Sequence, residues 1–500
     1  MILFFIPKEI YCFETDIRDI VMAFFPYEKV HFFILEKFNY FLQNKRKEKT
    51  LINIKIPTTK KSSIIVESFL NLNLYYIQIK SMKTSKNKKQ NRNDLKRNLY
   101  KDFSKLTKKT LPWGTLTGIR PVNIVSETLD GKNKNQIENY LNKEYFLSKE
   151  KIELLIKISN IEKKVIKQKQ CTDYKNMYSM YVGIPFCKST CLYCSFTSYN
   201  INQYKNEVDN YLDALEKEII YEKDNFPQNK KILSLYIGGG TPTSLCEKDF
   251  ERLLNFIKKG TSHLKKHKNF EYTIEAGRPD TITKEKLQLM KEYNVNRISI
   301  NPQTFNQKTL DIIGRSHKVE DIYDKFYMAK EMGFDNINMD LIIGLPGEKL
   351  EDVVYSFCEI AKLKPASLTI HSLALKRASR LNFEKKFWDK NYSALIKDPT
   401  EINKMMKCAF FLASELNLNP YYLYRQKNIA GNLENIGFSS LQKECLYNIM
   451  MMGEKHSVFG FGAGASSKIV KYENNEKQIT RINGHKSVLD YIKKWQGEKK

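Results

Sequence analysis

The chain has 500 residues, 42% of them hydrophobic, so it is long enough for two or three domains and apolar enough to build cores, which excludes a disordered chain. Its formal charge of +27 invites a nucleic-acid reading, yet only 13 of the 83 basic residues are arginine, the side chain suited to bidentate phosphate or base recognition. Nucleic acid is therefore not the expected partner, whereas an acidic small molecule suits such a field.

The apolar start is interrupted at Pro7, Lys8 and Glu9, and no run approaches the length of a membrane span, so no membrane span is expected. Nine cysteines without a secretory signal point to a reducing compartment where thiols serve metals, hence to a cytoplasmic location.

Residues 1–82 read as a small N-terminal α/β domain, with a helical pattern at 17–25 and strand-like runs at 30–35, 63–69 and 74–79. At 83–110 the composition shifts to Lys, Asn, Gln and Arg, which reads as a basic linker, with an RNA-binding arm as the alternative. Residues 111–176 form a helical connector that opens on a Pro/Gly-punctuated segment and continues into helices near 122–129, 134–141 and 149–167.

From 177 to 375 short β-rich runs at 178–184, 233–237, 272–276, 297–301, 337–343 and 367–371 alternate with helix-compatible segments. Such alternation predicts an α/β fold with a parallel sheet, and six strands fit a partial (β/α)6 TIM-like barrel. The unusual residues fall strand after strand just past the C-terminal ends, the face on which β/α barrels carry active sites. Residues 376–500 are expected to form a C-terminal α/β extension, a domain covering the barrel mouth.

The densest chemistry is Tyr181-Val-Gly-Ile-Pro-Phe-Cys187-Lys-Ser-Thr-Cys191-Leu-Tyr-Cys194-Ser-Phe196. Thiolates suit iron, and the short spacers let one irregular loop turn three sulfurs inward around a cubane cluster. A structural zinc site wants four closed ligands, and no fourth stands nearby; inert buried thiols are the other reading.

Further on, Gly238-Gly239-Gly240-Thr241-Pro242-Thr243 follows a strand, so backbone groups there can approach a ligand without side-chain interference, with a tight βα turn as the plain alternative. Glu275 and Gln303, each after an apolar strand, suit hydrogen bonds to ribose hydroxyls or the capping of a strand end. Arg315 and Asp340 are charges beside apolar stretches, where charges are paired or ligand-bound. His371 reads as a satisfied core imidazole, and Met450, Met451 and Met452 as core filler.

The cysteine loop looks like the radical S-adenosylmethionine (SAM) signature. Together with Gly-Gly-Gly-Thr-Pro-Thr, Arg-Ile-Ser-Ile-x-x-Gln303-Thr-Phe, Gly-Arg315-x-His317 and Asp340-Leu-Ile-x-Gly-Leu-Pro, it resembles the oxygen-independent coproporphyrinogen III dehydrogenase family over residues 178–380. The segments 111–121, 376–380, 421–432 and 462–468 look like the longer branch, which carries an extra N-terminal domain.

The resemblance implies a 4Fe-4S cluster held by Cys187, Cys191 and Cys194, and a SAM molecule at that cluster contacted by Tyr181, Gly239 and Glu275. It implies that Tyr193, Gly240, Thr241, Gln303, Arg315, Asp340 and Ala374 match contacts to a second SAM. It further implies an acidic tetrapyrrole substrate, an electron donor and an electron acceptor. The best-studied form has histidine where Gly183 stands and a fourth cysteine where Phe196 stands, while related haem chaperones share the Cys-x-Phe ending.

Overall fold

A computed structural model describes residues 2–6, 8–25, 30–34, 52–54, 64–71, 74–82, 87–118, 120–227, 229–374, 379–383, 399–426, 433–473 and 476–497. Two compact units are formed, one from residues 1–156 with 425–428 and one from 157–424 with 429–500. Lys376, Arg377, Gly431 and Asn432, singled out in the sequence, lie outside the described residues.

In the first unit, strands β1 (Ile2–Ile6), β2 (Val30–Ile34), β3 (Ile52–Ile54), β4 (Ile64–Asn71) and β5 (Leu74–Met82) pair in the order β2-β1-β5-β4-β3. The contacts of β1 with β2 and β5 are parallel, and β3, β4 and β5 run antiparallel. Phe4, Ile17, Ile20 and Phe24 share one buried core with Leu95, Leu99, Tyr100 and Phe103.

The last four residues correct the reading of 83–110 as a linker, because they belong to a helix, Lys88–Thr107. Leu95, Leu99 and Phe103 repeat every four residues, which puts them on one face, and the Asn87 side chain accepts from Gln90 N at 3.1 Å to close the N-terminus. The lysines around that stripe dominate the composition and hide its period. Also in this unit, fully buried Trp113 carries the Arg425 guanidinium 5.0 Å above its ring, so that arginine is packed on an aromatic face.

The second unit is built on one sheet. Strands β6 (Met177–Ile184), β9 (Lys231–Gly239), β10 (Lys266–Glu275), β11 (Arg297–Ser299), β12 (Ile337–Ile343) and β13 (Ser367–Ser372) are parallel and adjacent in chain order, with the short pair β7 (Phe186–Cys187) and β8 (Tyr199–Asn200) between the first two in sequence. The helices Val208–Tyr221, Glu247–Thr261, Lys284–Glu292, Val319–Glu331 and Leu350–Leu363 connect them. The six expected strands are thus all present, and their buried apolar runs explain why they were readable: both faces of such a strand are covered.

The expectation of a separate C-terminal domain is corrected. Strands β14 (Asn419–Tyr424) and β15 (Asn435–Ser439) extend the sheet antiparallel from β13, while β16 (Ser457–Phe461), β17 (Ser466–Glu473) and β18 (Glu476–Asn483) extend it from β6. The C-terminal chain thereby covers both edges of the parallel core, which removes two open ladders of backbone donors and acceptors. No described helix is long and apolar enough to cross a membrane.

Candidate active site

The cysteine loop leaves β6 and is stitched to its surroundings on every side. Gly240 N donates to Ile184 O and Thr241 N to Phe186 O, both at 2.8 Å, so the glycine turn after β9 runs along the start of the loop. A Cβ on Gly240 would stand 2.6 Å from Phe186 O and 2.9 Å from Cys187 Sγ, and Gly239 has φ of +113°; neither place admits a side chain without displacement.

On the other side Leu192 N donates to Ile313 O at 2.9 Å and Ser189 Oγ to Gly314 O at 2.8 Å. Buried Arg278 donates to Ser189 O at 3.0 Å and to its Oγ at 2.8 Å, with Asp280 at 3.2 Å balancing its charge. Leu381 N donates to Leu192 O at 2.9 Å. An irregular loop so tied holds its thiols in fixed directions, as ligation requires.

Cys187 and Cys191 are buried, and Cys194 is half-buried. Thr241 Oγ1 lies 3.4 Å from Cys187 Sγ. Burial pushes the Cys187 thiol up to about 11 against the Thr241 hydrogen bond, and the neighbouring Cys191 and Cys194 push the same way as burial. A thiol must lose its proton to ligate iron, so cluster binding by Cys187 is coupled to proton release.

Among the described residues no three His, Cys, Asp or Glu side chains converge on one ion position. Three thiolates on one short loop are the donor chemistry that iron-sulfur clusters take, so the residue types fit such a cluster.

The remaining sequence candidates fall into three groups. Arg315 is buried beside the loop: its Nη1 donates to Asn301 O at 2.7 Å and Gly277 O at 3.3 Å, and its Nη2 reaches Tyr193 OH at 3.4 Å. Glu275, the last residue of β10, accepts from Tyr236 OH at 2.6 Å. Burial lifts its carboxyl to about 7, Tyr236 opposes that and Asp340 adds to it.

The third group runs across β11 to β13. Gln303 has φ of +70°, and its backbone bridges β12: N donates to Asp340 O and O accepts from Ile342 N, each at 2.9 Å. Asp340 accepts from Asn338 Nδ2 at 2.7 Å and faces His371 Nε2 at 3.6 Å. Burial works to raise its carboxyl, but His371 and hydrogen bonds from Asn338 and Thr369 hold it below the usual range. His371 Nδ1 meets Tyr424 OH at 3.3 Å on its other side. Ala374 is half-buried just past β13.

Two buried amide oxygens, Gln303 Oε1 and Asn301 Oδ1, have no hydrogen-bond partner among the described residues. Buried acceptors are seldom left unpaired, and Gln303 also holds a backbone conformation that costs energy in a residue with a side chain. Both features fit a polar ligand at the C-terminal ends of β10 and β11.

The sequence reading missed Arg278 and an aromatic cluster. The rings of Tyr181, Tyr236 and Tyr447 stack at centroid distances of 6.2 Å, 6.4 Å and 4.5 Å beside Glu275. Tyr236 alternates with Ser234 and Gly238 on one side of β9, a period-2 signal that marks it as inward-facing, and Arg278 is a charge placed just beyond an apolar strand.

Comparison with known proteins agrees with this geometry. The family model described as the radical SAM superfamily matches residues 181–357. The chain is 38% identical over 401 residues, 80% of its length and 77% of the relative's, to the oxygen-independent coproporphyrinogen-III oxidase-like protein HemZ of Bacillus subtilis. It is 34% identical over 304 residues, 59% of its length and 71% of the relative's, to the heme chaperone HemW of the same organism. The solved structure of coproporphyrinogen III oxidase (HemN) from Escherichia coli, 21% identical, superposes with a TM-score of 0.52 over 66% of this chain and 72% of that one, a likeness of fold. The chain belongs to the coproporphyrinogen III oxidase-like family of radical SAM proteins, whose membership implies a 4Fe-4S cluster and SAM.

Proposed function

We propose that the protein is a cytoplasmic radical SAM oxidoreductase that decarboxylates two propionate side chains of coproporphyrinogen III to vinyl groups, giving protoporphyrinogen IX without oxygen. The observation that carries the reading is the likeness to an oxidase-like relative over 401 residues, well beyond the 181–357 region common to radical SAM proteins.

In this reading Cys187, Cys191 and Cys194 hold the cluster, and Tyr181, Gly239 and Glu275 hold SAM beside it. Tyr193, Gly240, Thr241, Gln303, Arg315, Asp340 and Ala374 line the place of a second SAM. When bound, cluster and SAM supply a 5′-deoxyadenosyl radical able to take a hydrogen atom from a propionate carbon. Each propionate then loses one CO2 and one electron to become a vinyl, so the reaction needs an electron donor for the cluster and an acceptor for the substrate electron.

The residues of the chain contribute position and exclusion. Arg278 and the Ile313–Gly314 backbone keep the cysteine loop in shape, and the Tyr181, Tyr236 and Tyr447 rings keep water from the Glu275 side of the site. The basic surface suits a substrate with four carboxylates.

The test is anaerobic turnover. Cluster-loaded protein given reductant, SAM, coproporphyrinogen III and an electron acceptor should yield protoporphyrinogen IX and two CO2 per substrate, a count that follows from two propionates losing one carboxylate each. A second reading, a haem chaperone, is favoured by Phe196 at the Cys-x-Phe ending and by the 34% identity to HemW. SAM cleavage with an unchanged tetrapyrrole and stoichiometric haem binding would decide for it.

A further inference from the structure

Strand β10 carries two carboxylates four residues apart, Glu271 and Glu275, and residues at even spacing along a strand share a face. Glu275 stands at the strand's C-terminal end. Glu271 lies deeper and is buried, where its Oε2 accepts from Leu446 N at 2.8 Å and its Oε1 from Tyr447 N at 3.1 Å and Cys445 Sγ at 3.2 Å.

Those three donors open the helix Leu446–Met452, so a carboxylate of the parallel core pins a C-terminal helix. That helix delivers Tyr447, whose ring stacks on Tyr236 at 4.5 Å with 26° between planes. Tyr236 in turn donates its hydroxyl to Glu275 Oε1 at 2.6 Å. The contacts lead from one carboxylate of β10 through the C-terminal segment and back to the other.

The Glu275 carboxylate is held at Oε1 by the Tyr236 hydroxyl. Gly238 makes room, since a Cβ there would stand 2.8 Å from Oε2. A simple filler for this core would be phenylalanine. A phenol even half-buried is retained at a cost unless its hydroxyl is paired, and at Tyr236 the pair is the acid that our functional reading sets against SAM.

We infer that Tyr236 and Tyr447 are positioning residues for SAM binding: the Tyr447 ring, carried by the helix pinned on Glu271, fixes Tyr236, and the Tyr236 hydroxyl aims the Glu275 carboxylate at the ribose. The inference rests on the proposed role of Glu275. It makes the C-terminal segment, remote in sequence from the SAM motifs, a determinant of SAM affinity. The other groups facing Glu275 are Tyr181 from β6, Asp340 from β12 and His371 from β13, none of which the variants below alter.

The test has two readouts on the full chain. In cofactor-free protein labelled with 13C-carboxyl glutamate, NMR titration follows Glu275, assigned by its loss in Glu275→Gln. Tyr236→Phe removes a donor that favours the charged form, so the titration should move to higher pH. Tyr447→Leu keeps an apolar side chain, smaller and without the ring plane, and should move it in the same direction by less, while Tyr447→Phe keeps the ring and should leave it unmoved.

In cluster-loaded protein, Tyr236→Phe and Tyr447→Leu should weaken SAM binding about five- to thirty-fold, the worth of one buried hydrogen bond, with a smaller change in kcat at saturating SAM. Tyr447→Phe should stay within about twofold. An unmoved Glu275 titration in Tyr236→Phe, or a Tyr447→Phe variant as impaired as Tyr447→Leu, overturns the inference. Normal SAM affinity in Glu275→Gln with the titration shift present in Tyr236→Phe overturns instead the functional reading of Glu275, and with it the ribose as the target of the positioning.

Discussion

Thr241 Oγ1 sits 3.4 Å from Cys187 Sγ, which joins the first turn after β9 to the first thiol of the loop after β6. Gly240, next to that threonine, has no space for a methyl group between Phe186 O and Cys187 Sγ. Gly240→Ala must therefore push the loop away from β9, since backbone on one side cannot yield. The variant is expected to fold yet to take up well under half of the roughly four irons per chain of the native protein, as read by iron and sulfide analysis after anaerobic reconstitution. Full loading would mean that the loop is not held by this contact.

Cys187→Ala, Cys191→Ala and Cys194→Ala should each abolish the cluster, because three ligands leave no spare. Phe196→Ala should keep it: the ring is 69% exposed and a phenyl group cannot ligate iron. The characteristic visible absorption of the cluster separates the outcomes, and a brown Cys194→Ala protein with undiminished iron would remove that cysteine from the ligand set.

Glu275→Ala and Gln303→Ala are expected to retain iron and to weaken SAM binding by about five- to 150-fold, since each removes polar contacts while the thiolates stay. Gln303→Ala carries a second consequence. At φ of +70° alanine is strained as glutamine is, so the folded chain should be little changed in stability, whereas the buried amide oxygen without a partner disappears. Unaltered SAM affinity in both variants would reject these roles.

The six parallel strands were legible because each is an apolar run of the length expected for a strand buried on both faces, and the site motifs were legible because glycines, cysteines and isolated charges follow those runs. Three things were not. The helix Lys88–Thr107 spends few residues on its buried stripe, so its lysine-rich composition outweighed its period. β15 and β16 join opposite edges of the sheet, and nothing local in a strand says which distant edge it will cover. The stack of Tyr181, Tyr236 and Tyr447 joins residues from three separated segments, and tyrosines that meet only through tertiary packing leave no spacing to read.

Arg278 gives a test of loop stiffness that is separate from ligation. Arg278→Ala deletes both bonds to Ser189, while Lys188, 3.2 Å from Asp280, remains to balance that carboxylate. The expected result is a cluster that assembles but is lost several-fold faster to a chelator, because supporting contacts around a metal site tune its retention. An unchanged rate of iron loss would make the arginine a bystander.

Glu348 offers a stability test that is independent of SAM. It is 2% exposed, accepts from the Thr304 hydroxyl, and burial first, with Asp352 adding to it, raises its carboxyl from 4.5 to about 7. A raised acid means that the folded chain keeps a proton the unfolded chain has already released. Stability must then fall as pH rises from about 4.5 to about 7, and stay reduced above that, by an amount on the order of 3 kcal/mol. Glu348→Gln keeps an acceptor for Thr304 but cannot ionise, so relative to the native chain it should gain stability progressively across that window. Urea midpoints at pH 5 and pH 8 read this directly: the variant's advantage should be larger at pH 8, and an equal offset at both values would mean that Glu348 does not titrate in the folded core.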